Sequence, residues 1–129
     1  MIYTLWLSEG YLRQGKRERA RELVEGVLAT SRELGYRHLE GVAGRLLGEC
    51  LTSADPAEAA RHLERATRIL DDIGARNDLA KTLVAQAELA RSGGGHVQAG
   101  ELLDHALQIF QSLGTLDEPT RVQTRLHTQ

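Results

Sequence analysis

The segment "SRELGYRH" at residues 31–38 decides the fold, because related segments follow it twice along the chain. These segments are "LDDIGARN" at 70–77 and "FQSLGTLD" at 110–117, and each has an apolar residue followed by glycine. The glycines recur at intervals of 39 (35 to 74) and 40 residues (74 to 114): Gly35, Gly74 and Gly114. A nearly constant period of this length indicates a repeat protein, whose units bury their apolar faces against one another.

Small and apolar residues also recur at fixed distances before each of these glycines. Fifteen positions before them stand Ala20, Ala59 and Ala99. Eleven positions before them stand Val24, Leu63 and Leu103. Eight positions before them stand Val27, Ala66 and Ala106. These offsets share one face of a helix with 3.6 residues per turn, so each repeat is predicted to end in an amphipathic helix with a glycine C-cap.

A second apolar-periodic segment precedes each of these helices. The three segments are "IYTLWLSEGYLRQ" at 2–14, "HLEGVAGRLLGECLT" at 38–52 and "DLAKTLVAQAELARS" at 78–92. Asp55, Pro56 and Glu58 form a helix start, with an N-cap, a proline in the first turn and an acidic residue three positions after the cap. We therefore predict an all-α chain with no strand, forming one domain over residues 1–129. Its predicted parts are three helix pairs at about 2–35, 38–74 and 77–114, and a capping helix at about 118–128.

The helix pairs with small residues at these positions resemble the tetratricopeptide repeat over essentially the whole chain. The residues that carry the resemblance are Leu7, Tyr11, Gly15, Ala20, Val24 and Val27 in the first repeat, Leu46, Ala59, Leu63 and Ala66 in the second, and Ala87, Gly94, Ala99, Leu103 and Ala106 in the third. The family's usual large residue at the Tyr11 position is replaced by Cys50 and then Ala90. The resemblance implies antiparallel helix pairs stacked as a right-handed α-solenoid, which binds protein or peptide partners.

The long period also resembles the helical regulatory arms of bacterial signalling proteins, such as ATP-dependent transcriptional activators of the maltose-regulon type and class III nucleotide cyclases. This second resemblance implies a regulatory sensor segment of a larger protein, as an alternative to a protein-binding scaffold. The lysine and asparagine clamp that the tetratricopeptide family uses for peptide carboxylates is absent at the matching positions, so that ligand is not expected.

Composition and motifs argue against several other functions. The formal net charge of −2 and the pI near 6.2 predict no nucleic acid as a direct partner. Cys50 is the only cysteine and no apolar run reaches the length of a membrane span, so we expect a cytoplasmic protein without a membrane partner. No catalytic motif is present, and we predict no enzymatic activity, no cofactor and no metal.

Three side-chain features favour structural rather than chemical roles. His62 stands where the other repeats have Leu23 and Leu102, which predicts a semi-buried packing histidine, and Cys50 is expected to pack as a small apolar residue. The remaining feature is a basic stripe predicted to be solvated among neighbouring carboxylates: Arg61, Arg65 and Arg68.

The first helices of the three pairs are predicted to line a concave, partner-binding groove. By the repeat alignment this groove holds Ile2, Leu5, Glu9, Gly41, Gly44, Gly48, Lys81, Val84 and Glu88. The three glycines together disfavour their helix by roughly 2–3 kcal/mol, so a compensating contact is expected. They fall within about 60° of one another, away from the apolar arc of their helix, which places them on the groove. Whether their bare side meets a ligand or only a neighbouring helix stays open at this point.

The N-terminal helix carries more large apolar residues than one partner helix can cover. We therefore expect an exposed edge at Ile2, Leu5 and Trp6 that supports self-association as a homodimer. Together these patterns predict a non-catalytic module for protein interaction, which uses the groove, this edge or both.

Overall fold

The structure, a computed structural model, describes residues 1–114, and the predicted capping helix at 118–128 lies outside this part. The described residues form six helices: α1 (Ile2–Arg13), α2 (Arg17–Leu34), α3 (Arg37–Leu51), α4 (Pro56–Asp72), α5 (Arg76–Ser92) and α6 (His96–Ser112). No strand occurs among residues 1–114, so the prediction of an all-α chain is confirmed for them.

The helix ends follow the signals in the sequence. The three repeated glycines have left-handed backbone conformations, with φ of +72° at Gly35 and +73° at both Gly74 and Gly114. Glycine adopts this conformation without the steric cost of a Cβ atom, which explains its place at the helix ends. The carboxylate of Asp55 accepts a hydrogen bond of 3.2 Å from the backbone N–H of Glu58, which confirms the predicted N-cap of α4.

The described chain forms two compact units, Met1–Gly74 and a second unit that begins at Ala75. In the first unit, each helix packs against the next one along the chain, and α1 also contacts α3. In the second unit, α5 packs against α6.

The repeated small and apolar positions lie in the core. All nine are at most 4% exposed: Ala20, Ala59, Ala99, Val24, Leu63, Leu103, Val27, Ala66 and Ala106. Burying one leucine or valine side chain stabilises a fold by about 1.5–3 kcal/mol. The periodicity therefore identified part of the core of each helix pair.

Candidate functional site

The three glycines of α3 lie against α4 and not on an open surface. Gly41, Gly44 and Gly48 are all buried. A Cβ atom added to Gly41 would lie 2.6 Å from Leu70 Cδ2, and one added to Gly48 would lie 2.6 Å from Leu63 Cδ2. The glycines thus leave room for two leucine side chains of the following helix, a contact that offsets their low helix propensity.

A third contact agrees, because a Cβ atom at Gly44 would lie 3.4 Å from Ala66 Cβ. Successive glycines along α3 lie against α4 residues of decreasing residue number, as in an antiparallel helix pair. The predicted placement of Gly41, Gly44 and Gly48 on the groove is therefore wrong, and the alternative of close helix packing is confirmed.

A shift of one residue in the repeat alignment explains the error. The hydroxyl of Ser8 in α1 donates a hydrogen bond of 3.0 Å to the backbone oxygen of Ala20 in α2, twelve residues later. In the second pair, the residue that meets the backbone oxygen of Ala59 is Gly48, only eleven residues earlier (48 to 59). A shift of one residue rotates each position by about 100° around the helix axis, which is enough to move a row of residues from an open face onto the partner helix.

The two helix connections differ in a way that accompanies this shift. Between α1 and α2 the chain turns through Gly15, whose φ is +79°. Between α3 and α4 no residue has a positive φ, and the chain enters α4 through the N-cap Asp55. The absence of a glycine in "TSAD" at 52–55 was the signal in the sequence that could have revealed the different register.

The three most exposed large apolar residues of the first unit lie on α1. We define the α1 edge as Ile2, Tyr3 and Trp6, which are 76%, 69% and 67% exposed. The rings of Tyr3 and Trp6 lie next to each other, with centroids 6.0 Å apart. Ile2 lies four residues before Trp6 and is therefore its neighbour on the helix surface. The three residues thus form a continuous patch and not isolated exposures.

Leu5 does not belong to this edge, although the sequence placed it there and in the groove. Its exposure is only 6%, and it lies three residues before the buried Ser8 that bonds to α2. Residues three apart share a helix face, so Leu5 belongs to the side of α1 that packs inward. Tyr3, which the sequence argument missed, takes its place on the exposed side.

A depression of about 570 Å³ lies along the C-terminal half of α1, beside Trp6. Its lining consists of Trp6, Leu7, Glu9, Gly10, Tyr11, Arg13 and Gln14. A Cβ atom added to Gly10 would meet nothing within 4 Å, so the backbone is bare and open there. Glu9 and Arg13 form an ion pair of 2.8 Å beside it. Along the exposed side of α1, the large apolar groups of the α1 edge are therefore followed by an open glycine and a charged pair.

The three groove residues predicted on α5 lie in the second unit. Lys81, Val84 and Glu88 are each half-buried there. The fully buried face of α5 includes Leu83 and Ala87, at 4% and 1% exposure.

A second surface feature of the first unit is a cavity between α2 and α4, which we call the α2–α4 groove. It has a volume of about 640 Å³ and is lined by Arg21, Glu25, Leu28, Ala29, Arg32, Leu47, Leu51, Ala54, Asp55, Glu58 and His62. Its charged groups pair with one another or with nearby groups, as in the 2.6 Å contact between Arg21 and Glu25. Charges that are already paired in this way leave no strong demand for an ionic ligand.

The helix α3 also buries two charged residues that sequence reasoning missed. Glu40 Oε2 accepts hydrogen bonds from Arg32 Nε of α2 at 3.3 Å and from Arg65 Nε of α4 at 3.1 Å. One carboxylate thus connects three helices, and the other two arginines of the predicted basic stripe pair with Glu58 and Glu64.

The other buried charge is Arg45, which is 6% exposed and pairs with Glu49 at 2.8 Å. Its spacing of four residues from Glu49 was visible in the sequence, and such pairs stabilise helices. Its burial was not visible, because burial depends on tertiary packing.

His62 and Cys50 have the structural roles that the sequence predicted. Burial lowers the pKa of His62, whose side chain is 19% exposed and lies 3.4 Å from Glu58 Oε2. Burial raises the pKa of the Cys50 thiol to about 11, which keeps it protonated and unreactive near neutral pH. No group of three or more histidine, cysteine or acidic side chains in residues 1–114 is arranged to hold a metal ion.

None of the helices within residues 1–114 combines the length and the apolar character needed to cross a membrane. A comparison of the sequence with protein-family models and with curated proteins finds no match.

Proposed function

We propose that this protein is a non-catalytic protein-interaction module whose contact surface is the α1 edge. The observation that carries the proposal is the exposure of Ile2, Tyr3 and Trp6 as one patch, each at more than 65%. Exposed apolar patches of this kind are characteristic of protein interfaces, and tryptophan and tyrosine are enriched among the few residues that dominate the binding free energy.

The α1 edge is a better contact surface than the other two candidates. The glycine face of α3 is filled by Leu63 and Leu70, so no ligand reaches its backbone. The α2–α4 groove has charged walls whose groups pair within the protein, and its leucines Leu28, Leu47 and Leu51 are at most 6% exposed. Of these three surfaces, the α1 edge offers the largest exposed apolar side chains, whose area a partner would remove from water.

The fold proposal that accompanies this function is a stack of antiparallel helix pairs of the tetratricopeptide type, continued as a right-handed α-solenoid. Three observations support it: the contacts of Ser8 with Ala20 and of Gly48 with Ala59, the packing of α1 on α3, and the left-handed glycines at the helix ends. An experimental structure of the full chain tests the stacking.

The alternative function, a regulatory sensor segment of a larger signalling protein, makes the same use of the α1 edge. A regulatory segment acts by changing its contacts with another part of a protein, and such contacts need an exposed surface. The edge is thus the surface to test under both hypotheses.

Site-specific photocrosslinking in living cells tests the proposed function. A benzophenone amino acid replaces Ile2 in one variant and Val97 in a matched control, since these residues are 76% and 79% exposed on different helices. We expect discrete protein adducts at position 2 that disappear when Trp6→Glu is added, and no such adducts at position 97. Equal adducts at both positions, or none at position 2, would contradict the proposal.

A further inference from the structure

We infer that the partner of the α1 edge is a second copy of this chain, in a two-fold dimer in which Trp6 of each copy occupies the space over Gly10 of the other. This inference rests on the proposed function, because it names the occupant of the same surface. Homodimers with two-fold symmetry need a surface that is complementary to itself, and the α1 edge has this property.

The complementarity follows from the order of groups along α1. The large ring of Trp6 protrudes at 67% exposure, and Gly10, one helical turn later, leaves open space on the same side. An antiparallel crossing with its axis midway between these two residues places each ring over the partner copy's bare backbone. A parallel crossing would instead bring the two Trp6 rings together and leave both depressions empty.

The flanking residues fit the same antiparallel register. Tyr3 lies three positions before Trp6, and Arg13 lies three positions after Gly10, so the crossing brings Arg13 of one copy over the Tyr3 ring of the other. A guanidinium over a tyrosine ring is an attractive cation–π contact. The Arg13 side chain is 71% exposed in the single copy and pairs with Glu9 on its own helix. The chain's formal charge of −2 gives little repulsion between copies.

Among residues 1–114, no close contact accounts for a glycine at position 10. Its Cβ position is open and its φ is not positive, whereas a mid-helix glycine disfavours a helix by about 0.8–1 kcal/mol relative to alanine. Seating of a partner's Trp6 on the bare backbone provides a reason for glycine at this position.

The buried area is sufficient for a weak dimer. A fully covered aromatic side chain buries about 150–250 Å², and about two-thirds of Tyr3 and of Trp6 is available in each copy. With Ile2 and the flanking side chains counted in both copies, the interface reaches roughly 1,000 Å², the lower limit for a specific contact. We therefore expect dissociation constants on the order of 10 µM.

Sedimentation velocity on the full chain tests the inference with three variants. Trp6→Ala removes the protruding ring, Gly10→Leu fills the space that receives it, and each should weaken dimerisation at least about 30-fold. Gly26→Leu is the matched control, since Gly26 is an exposed helical glycine of α2 whose Cβ position is also open. This control should dimerise like the wild type.

A mixture of the two disruptive variants gives the sharpest result. In a mixed dimer of Trp6→Ala with Gly10→Leu, one contact keeps the ring over the glycine. At the other contact, the added leucine faces the space left by the missing ring. We expect an equimolar mixture to associate at concentrations where each variant alone is monomeric.

Three outcomes would overturn the inference: a wild-type chain that stays monomeric at about 200 µM, a Gly10→Leu variant that dimerises normally, or a mixture that stays monomeric. A monomeric wild type whose position 2 still crosslinks to a different protein would refute the second copy and leave the proposed function intact. A position 2 that crosslinks to no protein would refute both.

Discussion

The helices α1 and α3 occupy the same place in successive helix pairs, yet they present opposite surfaces. The α3 helix has a side with no side chains at Gly41, Gly44 and Gly48, and this side is buried. The α1 helix has a side with three large apolar groups, and this side is exposed. The difference shows that exposure is decided by what the neighbouring helix supplies and not by the size of a helix's own side chains.

The neighbouring helix explains each case. Leu63 and Leu70 of α4 are fully buried and occupy the space that the glycines of α3 leave. In α1, Leu5 and Ser8 already fill the side that faces α2, and the large residues Tyr3 and Trp6 point to the other side. A helix face made bare by glycines fits closely against large residues, whereas a face of large residues needs a further partner to cover it.

The largest expected effect comes from filling the glycine side of α3. Gly48→Leu forces a large side chain into the space of Leu63, and overpacking of a well-packed core should lower the free energy of unfolding by about 3 kcal/mol. Chemical denaturation followed by circular dichroism measures this change. The control is Gly26→Leu on the open face of α2, which should not destabilise the protein. Equal stability of Gly48→Leu and the wild type would show that the α3 glycines are not packed against α4.

The rate of thiol labelling should differ between cysteines in the two helices by roughly two orders of magnitude. The Cys50 thiol of α3 is buried and its pKa is raised to about 11, so its thiolate fraction at pH 8 is about 100-fold below that of an exposed cysteine. A variant with Ile2→Cys places a second thiol on the exposed side of α1. Labelling with a maleimide at low protein concentration should show a fast phase from position 2 and a slow phase from Cys50. Equal rates would mean that α3 is as accessible as α1.

Glycine-to-alanine substitutions should change the free energy of unfolding by smaller amounts and in opposite directions in the two helices. Gly10→Ala in α1 should raise the free energy of unfolding of the monomer by about 0.8–1 kcal/mol, because it gains helix propensity in open space. Gly48→Ala makes the same gain but brings a Cβ atom to 2.6 Å from Leu63, so it should lower the free energy by about 1 kcal/mol overall. Urea denaturation of both variants at low micromolar concentration measures the two changes in the free energy of unfolding. Stabilisation by both substitutions would contradict the packing described for α3.

The smallest expected effect is a pH dependence that arises from His62. Burial lowers its pKa below 6.5 in the folded protein, so the unfolded chain binds more protons as the pH falls below neutrality. The contribution of His62 to the free energy of unfolding is therefore complete at pH values above its pKa in the unfolded chain. It is lost as the pH falls towards its pKa in the folded protein. The nearby charges act in both directions: Glu58 and Glu25 raise the pKa, and Arg32 and Arg61 lower it.

The measurement for His62 compares unfolding of the wild type with His62→Gln between pH 7.5 and 5. We expect the wild type to lose more stability than the variant over this range, because only the wild type has a histidine at position 62 whose pKa is lowered on folding. Parallel stability curves for the two proteins would show that His62 does not titrate differently on folding.

Local patterns in the sequence were sufficient to predict the helices and the residues that pack inside each pair. The glycine ends, the Asp55 cap and the buried positions such as Ala20 and Val24 depend on contacts within a few helical turns, which the 3.6-residue period reflects. These features were predicted correctly because each follows from one helix or one turn.

The surfaces were predicted less well because they depend on the register between helices. A shift of one residue after α3 moved Gly44 and Gly48 from the expected groove onto α4, and it is not visible in the period of the repeats. The exposed side of α1 was predicted from residue size alone. Leu5 was therefore placed on that side although it is buried, and the exposed Tyr3 was omitted. Ile2 and Trp6 were placed correctly at the exposed edge, where large residues exceed what one neighbouring helix can cover.

The fluorescence of Trp6 tests the central claim most directly, because Trp6 is the only tryptophan in the chain and lies in the α1 edge. Acrylamide quenching is measured on the wild-type chain from about 1 µM to about 200 µM, across the expected dissociation constant. We predict efficient quenching at the low end and a several-fold smaller quenching constant with a blue-shifted emission at the high end, as the ring becomes covered. Quenching that is equally efficient over the whole range, with the emission of a solvent-exposed indole, would contradict the account.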